Sequence, residues 1–402
     1  MADDNRRFDE VGRAVLNVYQ EENPSARPID RDPEAFAARE RVRLGMFRDD
    51  LKFPIRMFQD ARLLEFGAGT GEHSVFYSRW GATCTLVEYN PLACARTREI
   101  FDAFAPADAD VRIIEESLFD VDLEAEFDIV ACSGVLNHTA DKARGFANLV
   151  RHLKPGGYAF LGLATQGGWL QRNLQRLIIY RYADSPAEIE TLADRLFGEH
   201  LDRATRFGGR TRRALIYDNY VNPKIDTPSV PEVLGWFAEN GLRVHATWPS
   251  IAPLQMGDTA GSGGMADVLA DPAVAAFSEL FWMAHALPDR EALGDYLGVA
   301  SEVAGALYPL TGAIGDVTPD GRYDLNALAE GADALSAITA RLDPFQTEKA
   351  SVCALLEEVR LLLDTMKTGG PDEVAEFLAR TQYLFRGTNG LGMNHFIGYA
   401  DS

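Results

Sequence analysis

The stretch RLLEFGAGTG at residues 62–71 constrains this chain more than any other feature. It predicts a short apolar strand ending in an acidic residue, then a turn with three glycines, then an amphipathic helix over 73–80. Gly67, Gly69 and Gly71 let the backbone adopt conformations that a side chain would forbid, and let it pass close to a ligand. The following helix presents free N–H groups and the positive end of its dipole. The segment therefore predicts a loop that binds a nucleotide-like cofactor.

The spacing of the glycines narrows the choice of cofactor. A dinucleotide-binding turn reads G-x-G-x-x-G, but Glu72 occupies the third glycine position here. Glu65, two residues before the first glycine, is poorly placed beside a pyrophosphate and well placed beside an ammonium-bearing ligand. A second predicted strand over 84–88 ends in Glu88, whose carboxylate can accept hydrogen bonds from both ribose hydroxyls. Because no P-loop motif occurs either, the pattern favours an adenosyl cofactor over NAD or ATP.

Residues 60–165 resemble the Rossmann-like, class I S-adenosylmethionine-dependent methyltransferases. The resemblance rests on four segments in the right order: LLEFGAGTGEHS, LVEYNP, IIEESLFDVDLEAEFDIVACSGVLNHT and LVRHLKPGGYAFLGL. It implies an α/β fold, a Rossmann-like seven-stranded methyltransferase sheet with helices on both faces, and S-adenosyl-L-methionine as cofactor.

The same resemblance implies where the cofactor lies. Glu88 would hold the ribose, Glu116 would lie beside the adenine where the family often has Asp, and Ser133 would lie under the sulfonium. The full set of cofactor-binding residues that it implies is Glu65, Gly67, Ala68, Gly69, Thr70, Gly71, Glu88, Tyr89, Glu116, Ser117, Leu118, Ser133 and Gly134.

Composition predicts a soluble, cytoplasmic enzyme. No apolar run approaches 18 residues, and the start MADDNRRFDE has no signal-peptide core, so we expect no membrane span. The four cysteines form no C-x-x-C pair and no metal-ligand spacing, so we expect buried free thiols and no metal. The net charge of −21 argues against a nucleic-acid substrate, because binding phosphates requires a basic surface.

The chain divides into four predicted regions. Residues 1–60, with helical patterns over 11–19 and 35–58, form an N-terminal cap that helps to cover the cofactor. Residues 61–251 form the methyltransferase core, with an arginine-rich insert at 166–228, a helix over 229–239 capped by Ser229, and a sixth strand over 242–248. Residues 252–388 form an acidic helical domain, and residues 389–402 supply the final strand.

The position of the helical domain is the main architectural question. Residues 252–388 hold 21 Asp and Glu against 8 Lys and Arg. Helical periodicity is clearest over 274–286, 293–307, 325–342 and 349–366, with Asp271 as a cap. Because the only further strand pattern is MNHFIGY at 393–399, we expect an insertion before the last strand. The alternative is a C-terminal appendage. The domain could serve as a lid, as a partner-binding surface or as a contact between two copies in a homo-oligomer.

Candidate residues for the acceptor side follow the fourth strand and lie in the insert. His138 is the candidate catalytic base, because imidazole titrates near neutral pH; its alternative role is a helix cap or pocket wall. Tyr217, Asp218 and Tyr220 form a polar cluster that could line the acceptor pocket, with the two tyrosines as candidates for binding the substrate, or could merely satisfy loop hydrogen bonds. The nine arginines over 169–213 could bind an anionic group, or pair with acids such as Glu188, Glu190 and Asp194 along helices.

These observations predict methyl transfer to a small-molecule acceptor, with oxygen preferred as the target atom. Residues 133–137 read SGVLN, unlike the Asn/Asp-Pro-Pro-Tyr/Phe of methyltransferases that act on base or amide nitrogens. One alternative is an aminopropyl transferase, which uses the same fold on the decarboxylated cofactor. Another is a non-catalytic sensor of S-adenosylmethionine or S-adenosylhomocysteine, or a scaffold, acting through the helical domain.

Overall fold

A seven-stranded sheet forms the centre of the protein. The computed structural model describes residues 2–22, 29, 33–123, 126–208, 210–251, 272–284, 299–319, 321, 323–342, 346–386 and 392–401. The strands are β1 (Arg62–Phe66), β2 (Thr83–Glu88), β3 (Val111–Glu115), β4 (Phe127–Ser133), β5 (Leu153–Ala164), β6 (Leu242–Trp248) and β7 (Met393–Ala400). Their order is β3-β2-β1-β4-β5-β7-β6; β1 to β5 are parallel, and β7 is antiparallel to both its neighbours. The predicted fold class is confirmed.

Helices cover both faces of this sheet, because its central strands are apolar on both sides. Successive side chains of a strand point to opposite faces, so Leu63 and Leu64 belong to different buried clusters. The cluster containing Leu63 includes residues of α2 (Pro33–Gly45), α3 (Ser74–Arg79) and α4 (Pro91–Phe104). The cluster containing Leu64 includes residues of α5 (Lys142–Val150) and α9 (Val230–Glu239).

In the N-terminal region the described residues form two α-helices, α1 (Ala2–Glu21) and α2. The helix expected over 35–58 ends earlier than predicted, at Gly45, and continues as a π-helical turn (Met46–Asp50) and a separate 3₁₀ turn (Ile55–Phe58). Pro54 explains the break, because proline lacks an N–H group and disfavours helical geometry at the residue before it.

Between β5 and β6 the chain forms four helices. They are α6 (Gln166–Tyr182), α7 (Pro186–Gly208), α8 (Arg212–Ile216) and α9, with a π-helical turn (Tyr217–Val221) after α8. The predicted cap of α9 is present: Ser229 Oγ accepts a hydrogen bond from Glu232 N at 3.2 Å.

The helical block lies between β6 and β7 in the chain, as an insertion. Its described helices are α10 (Pro272–Trp282), α11 (Ala300–Gly315), α12 (Leu325–Thr339), α13 (Gln346–Thr368) and α14 (Pro371–Leu378). Because β7 pairs with both β5 and β6, the insertion is confirmed and the C-terminal appendage was wrong. The cap predicted at Asp271 and the start of the helix predicted over 293–307 lie outside the described residues.

The inserted helices share one hydrophobic core with the arginine-rich insert. Leu174 of α6 and Tyr220 lie in the same buried cluster as Leu307 and Leu362 of the inserted block. Glu279 of α10 links this unit to the sheet, because its carboxylate accepts hydrogen bonds from Gly167 N at 3.0 Å and from Val230 N at 2.9 Å. Those N–H groups belong to the first turns of α6 and α9, so one carboxylate satisfies two helix N-termini.

Within the described part of the chain, no helix is long and apolar enough to cross a membrane. In the same residues, no group of three or more His, Cys, Asp or Glu could hold a metal ion. The cysteines are free thiols; Cys84, Cys94 and Cys132 are buried, and Cys353 is partly exposed.

Candidate functional site

The glycine loop has the backbone conformation that its sequence predicts. Gly67, Gly69 and Gly71 have φ angles of +71°, +59° and +81°, a region that residues with side chains rarely adopt. A Cβ atom at Gly67 would lie 2.2 Å from Val135 Cγ2, so this glycine also lets the loop after β4 approach. The loop is therefore closely packed as well as exposed to a ligand.

Glu88 at the end of β2 is held by the backbone around it. Oε2 accepts a hydrogen bond from Gly69 N at 2.8 Å, and Oε1 accepts one from Asn90 N at 2.8 Å. Burial raises the pKa of Glu88, although the backbone hydrogen bonds oppose that effect. Each carboxylate oxygen retains a lone pair, so this fixed group suits the pair of hydroxyls on a ribose.

A cavity of about 460 Å³ lies beside the glycine loop and Glu88. Most of the cofactor-binding residues implied by the sequence line it, namely Gly67, Gly69, Glu88, Tyr89, Glu116, Ser117, Leu118, Ser133 and Gly134. Thr70 and Gly71 are not among its lining residues. Thr70 donates a hydrogen bond to Glu72, and a Cβ at Gly71 would lie 2.9 Å from Thr97 Cγ2. These two residues therefore contribute to the conformation and packing of the loop and do not line the cavity.

A second cavity, of about 510 Å³, adjoins the first. Both are lined by Tyr19, Gly67, Ser133, Gly134 and His138. The structure places the remaining predicted residues, Glu65 and Ala68, in the lining of the second cavity.

Glu65 is buried and accepts a hydrogen bond from Ser74 Oγ. Burial raises the pKa of Glu65 to about 7, and the Ser74 hydrogen bond and the charge of Arg43 oppose the rise. A cationic ligand would favour the ionised form of this carboxylate.

The N-terminal helix α1 closes the first cavity from the other side. Gly12, Val15, Leu16 and Tyr19 line it at helical spacing, so one face of α1 faces the cofactor site. The N-terminal cap was expected to help to cover the cofactor, and the structure shows α1 lining this cavity; the sequence did not single out these four residues. The periodicity of the sequence predicts such a helix, but it does not predict which surface of the protein the helix covers.

His138 lies where the two cavities meet, in a 3₁₀ turn (Leu136–His138) directly after β4. Its Nδ1 lies 2.9 Å from the carbonyl oxygen of Lys224. Nδ1 also lies 3.1 Å from the side-chain nitrogen Nδ2 of Asn222, which donates. In the tautomer that donates from Nδ1 to the Lys224 carbonyl, the lone pair lies on Nε2; in the other tautomer, Nδ1 accepts from Asn222. Burial lowers the pKa of His138, although the charge of Asp218 opposes the shift. The neutral imidazole is therefore favoured at neutral pH.

Asn137 holds this turn in place. Its side chain donates hydrogen bonds to the carbonyl oxygens of Ala164 (2.9 Å) and Asp226 (2.7 Å) and accepts one from Ala164 N (2.9 Å). The end of β5 and the segment before α9 are thus joined to the turn that carries His138.

The structure does not bring Tyr217 and Tyr220 into the lining of either cavity. The Tyr217 hydroxyl donates to Glu21 at 2.9 Å, and the fully buried Tyr220 donates to Gln175 Oε1 at 2.7 Å. Both tyrosines belong to the π-helical turn, and their rings are buried in the protein interior. Asp218, the third residue of the predicted cluster, does line the second cavity.

Ion pairing was one of the two roles expected for the arginines of the insert, and several of them form ion pairs. Arg212 pairs with Asp194 and Asp202, and Arg213 pairs with Glu190. Glu188 instead accepts from the backbone of Asp184 and Ser185 at the start of α7. Arg172 and Arg210 differ, because they line the second cavity.

Comparison with known proteins identifies the central segment. Residues 64–161 match the family model described as a methyltransferase domain. A ubiquinone biosynthesis O-methyltransferase of Pseudomonas aeruginosa is 31% identical over 102 residues, which cover 25% of this chain and 43% of that protein. An uncharacterized protein of Synechococcus is 34% identical over 112 residues, covering 26% of this chain and 27% of that protein. The chain thus spans less than half the length of these curated relatives.

Among solved structures, a possible histamine N-methyltransferase from Thermotoga maritima is similar over 57% of this chain and 81% of its own. The sequence identity is 14% and the TM-score is 0.32.

Proposed function

We propose that this chain, which carries a methyltransferase domain of the class I, S-adenosylmethionine-dependent family, transfers a methyl group to a small-molecule acceptor, with oxygen preferred as the target atom. The observation that carries the proposal is the pair of adjoining cavities with His138 at their junction. One cavity fits the cofactor and the other provides space for an acceptor beside it.

The residues of the first cavity fit the cofactor of this family. Glu88 offers two positioned oxygens to a ribose, and the glycine loop brings backbone N–H groups close to the ligand. S-adenosylmethionine supplies a methyl group bound to a positively charged sulfur. The chain has to place the acceptor in line and exclude water, which accounts for a large part of the rate of such reactions.

His138 would take the proton that a hydroxyl acceptor loses. This role uses the tautomer in which Nδ1 donates to the Lys224 carbonyl, because the Nε2 lone pair is then the basic site. This role favours oxygen over an already nucleophilic thioether or neutral amine. The similarity to a ubiquinone biosynthesis O-methyltransferase, restricted to a quarter of the chain, supports the same preference.

Calorimetric titration tests the cofactor half of the proposal. S-adenosylhomocysteine should bind with micromolar affinity, and NAD should not bind. Glu88→Gln should weaken the binding of S-adenosylhomocysteine by about tenfold or more, because a charged hydrogen-bond acceptor is lost. Glu115→Gln is the matched control, since the exposed Glu115 lies opposite Glu88 on β3.

Measurement of enzymatic turnover tests the second half of the proposal, methyl transfer to an acceptor. A panel of small hydroxyl, amine and thiol acceptors should yield methylated product with S-adenosylmethionine, and hydroxyl acceptors should react best. Tight cofactor binding with no turnover on any acceptor would instead favour the sensor.

A further inference from the structure

The second cavity has an unusual charge for this protein. The chain as a whole carries a net charge of −21. In the lining of this cavity, however, guanidinium groups outnumber carboxylates: the arginines are Arg39, Arg43, Arg172 and Arg210, and the carboxylates are Glu65 and Asp218. An anion that enters this cavity therefore meets a local environment opposite in sign to the whole molecule.

The four arginines have different neighbours. Arg210 is neutralised by Asp218, with Nη2 2.7 Å from Oδ2. Arg43 and Arg39 are on the side of the glycine loop, where Arg43 interacts electrostatically with Glu65, and Arg39 with Glu72.

Arg172 lies on α6 and has only uncharged partners among the described residues. Nη1 donates to Gln175 Oε1 at 3.0 Å and to the Tyr220 hydroxyl at 2.9 Å, and Nη2 donates to His200 Nε2 at 3.1 Å. His200 must be neutral at Nε2 to accept from a guanidinium, which only donates. The charge of Arg172 is thus held in a fixed orientation without a carboxylate.

These contacts also leave Arg172 with capacity for a ligand. A guanidinium has five N–H groups, of which the three hydrogen bonds use three. The two that remain suffice for a two-point contact with a carboxylate or phosphate, the geometry that arginine favours.

The rest of the cavity lining includes apolar side chains. They are Val42, Met46, Trp169, Leu215 and Met393. A volume of about 510 Å³ is within the usual range for a small-molecule site, and apolar walls with a few positioned polar groups are typical of such sites.

We propose that the methyl acceptor is an amphipathic small molecule whose anionic group, a carboxylate or a phosphate, pairs with Arg172. This inference rests on the proposed function, because it assigns the second cavity to the acceptor. The apolar body would pack against Trp169 and its apolar neighbours, with the reacting group towards His138.

A matched pair of fluorescent probes tests this proposal on the full chain saturated with S-adenosylhomocysteine. 8-Anilinonaphthalene-1-sulfonate has an apolar body and an anionic group; N-phenyl-1-naphthylamine has the same rings without the anion. The chain should bind the anionic probe about tenfold more tightly or better, and Arg172→Gln should remove that preference. The neutral probe should bind both proteins alike, and Arg172→Lys, which keeps the charge, should retain part of the preference.

Arg212→Gln is the matched control, because Arg212 is paired with Asp194 and Asp202 and does not line the cavity. It should leave both probe affinities unchanged. Equal affinity of the unmodified chain for the two probes would overturn the proposal. So would an Arg172→Gln variant that keeps the anionic probe but loses S-adenosylhomocysteine, since the arginine would then serve the cofactor. Failure of the unmodified chain to bind S-adenosylhomocysteine would refute the proposed function instead.

Discussion

The hydroxyl of Tyr19 donates a hydrogen bond to Oδ1 of Asp218, at 3.0 Å, and so joins the N-terminal helix to the insert that follows β5. Asp218 also pairs with Arg210, and the Tyr19 ring lies edge-on to His138 with ring centroids 6.1 Å apart. Burial, together with the charge of Asp218, raises the pKa of Tyr19 well above its usual value, so the hydroxyl keeps its proton. Three distant parts of the chain therefore meet where the two cavities join.

Tyr19→Phe should weaken S-adenosylhomocysteine binding by about three- to tenfold. The variant removes one hydrogen bond, worth about 1 kcal/mol net, that holds α1 over the first cavity. Calorimetric titration measures the effect. Tyr182→Phe is the matched control, because the Tyr182 hydroxyl donates to Gly369 O in the helical block. Equal affinities in the two variants would mean that this bond does not close the site.

Gly67→Ala should nearly abolish cofactor binding and lower the melting temperature. An alanine there would be strained at φ +71°, with its Cβ 2.2 Å from Val135 Cγ2, so loop and neighbour must both shift, at a cost of about 1–3 kcal/mol. Gly305→Ala, in α11 with open space around it, should be neutral or stabilising. Thermal unfolding with and without S-adenosylhomocysteine separates loss of stability from loss of binding. Retained binding by Gly67→Ala would contradict the tight packing of the loop.

His138 should titrate below the ordinary histidine range. Burial lowers the pKa of His138 and Asp218 partly opposes the shift, so Asp218→Asn should lower it further. Imidazole signals followed by NMR across pH 4 to 8 give both values. Since the folded state disfavours the charged ring, this residue's contribution to stability is present above its unfolded pKa and is lost as pH falls. A pKa at or above about 6.5 in the native chain would contradict the buried, neutral base.

Glu279 should make stability depend on pH in the opposite sense. Burial raises the pKa of Glu279 to about 7, against backbone hydrogen bonds from Val230 and Gly167 that lower it. Its stabilising contribution is therefore complete below about pH 4.5 and is lost as pH rises through about 7. Between those two pH values, the free energy of unfolding of the native chain should fall by up to about 3 kcal/mol relative to that of Glu279→Gln.

Denaturant unfolding of both chains at several pH values measures that difference, with the exposed Glu330→Gln as the control variant. A pH-independent difference between the native chain and Glu279→Gln would show that the carboxylate keeps an ordinary pKa.

The lining of the first cavity was largely predictable from the sequence because it is local. The turn at residues 67–71 requires glycine for its backbone angles. Glu88 ends β2, which pairs with β1 in parallel, and only the short helix α3 separates these two strands in the chain. The seventh strand was also predictable, since 393–399 is the only segment of the sequence after β6 with a strand pattern. In the sheet this strand lies between β5 and β6.

The acceptor side could not be predicted in the same way. The sequence suggested the cluster Tyr217, Asp218 and Tyr220 without separating its members. In the structure both tyrosine rings are buried, and Asp218 alone of the three lines the second cavity. Among nine arginines over 169–213, no local pattern separates Arg172 from those that form surface ion pairs.

By itself the sequence determined the central sheet, the glycine loop and the position of Glu88 at the end of β2, because each depends on backbone geometry over a few residues. Only the tertiary structure decided which face of α1 lines the first cavity, how Glu279 joins the inserted helices to the sheet, and which arginines line the second cavity. These relationships join residues that are far apart in the chain. They depend on how whole elements pack, which local propensity and periodicity do not specify.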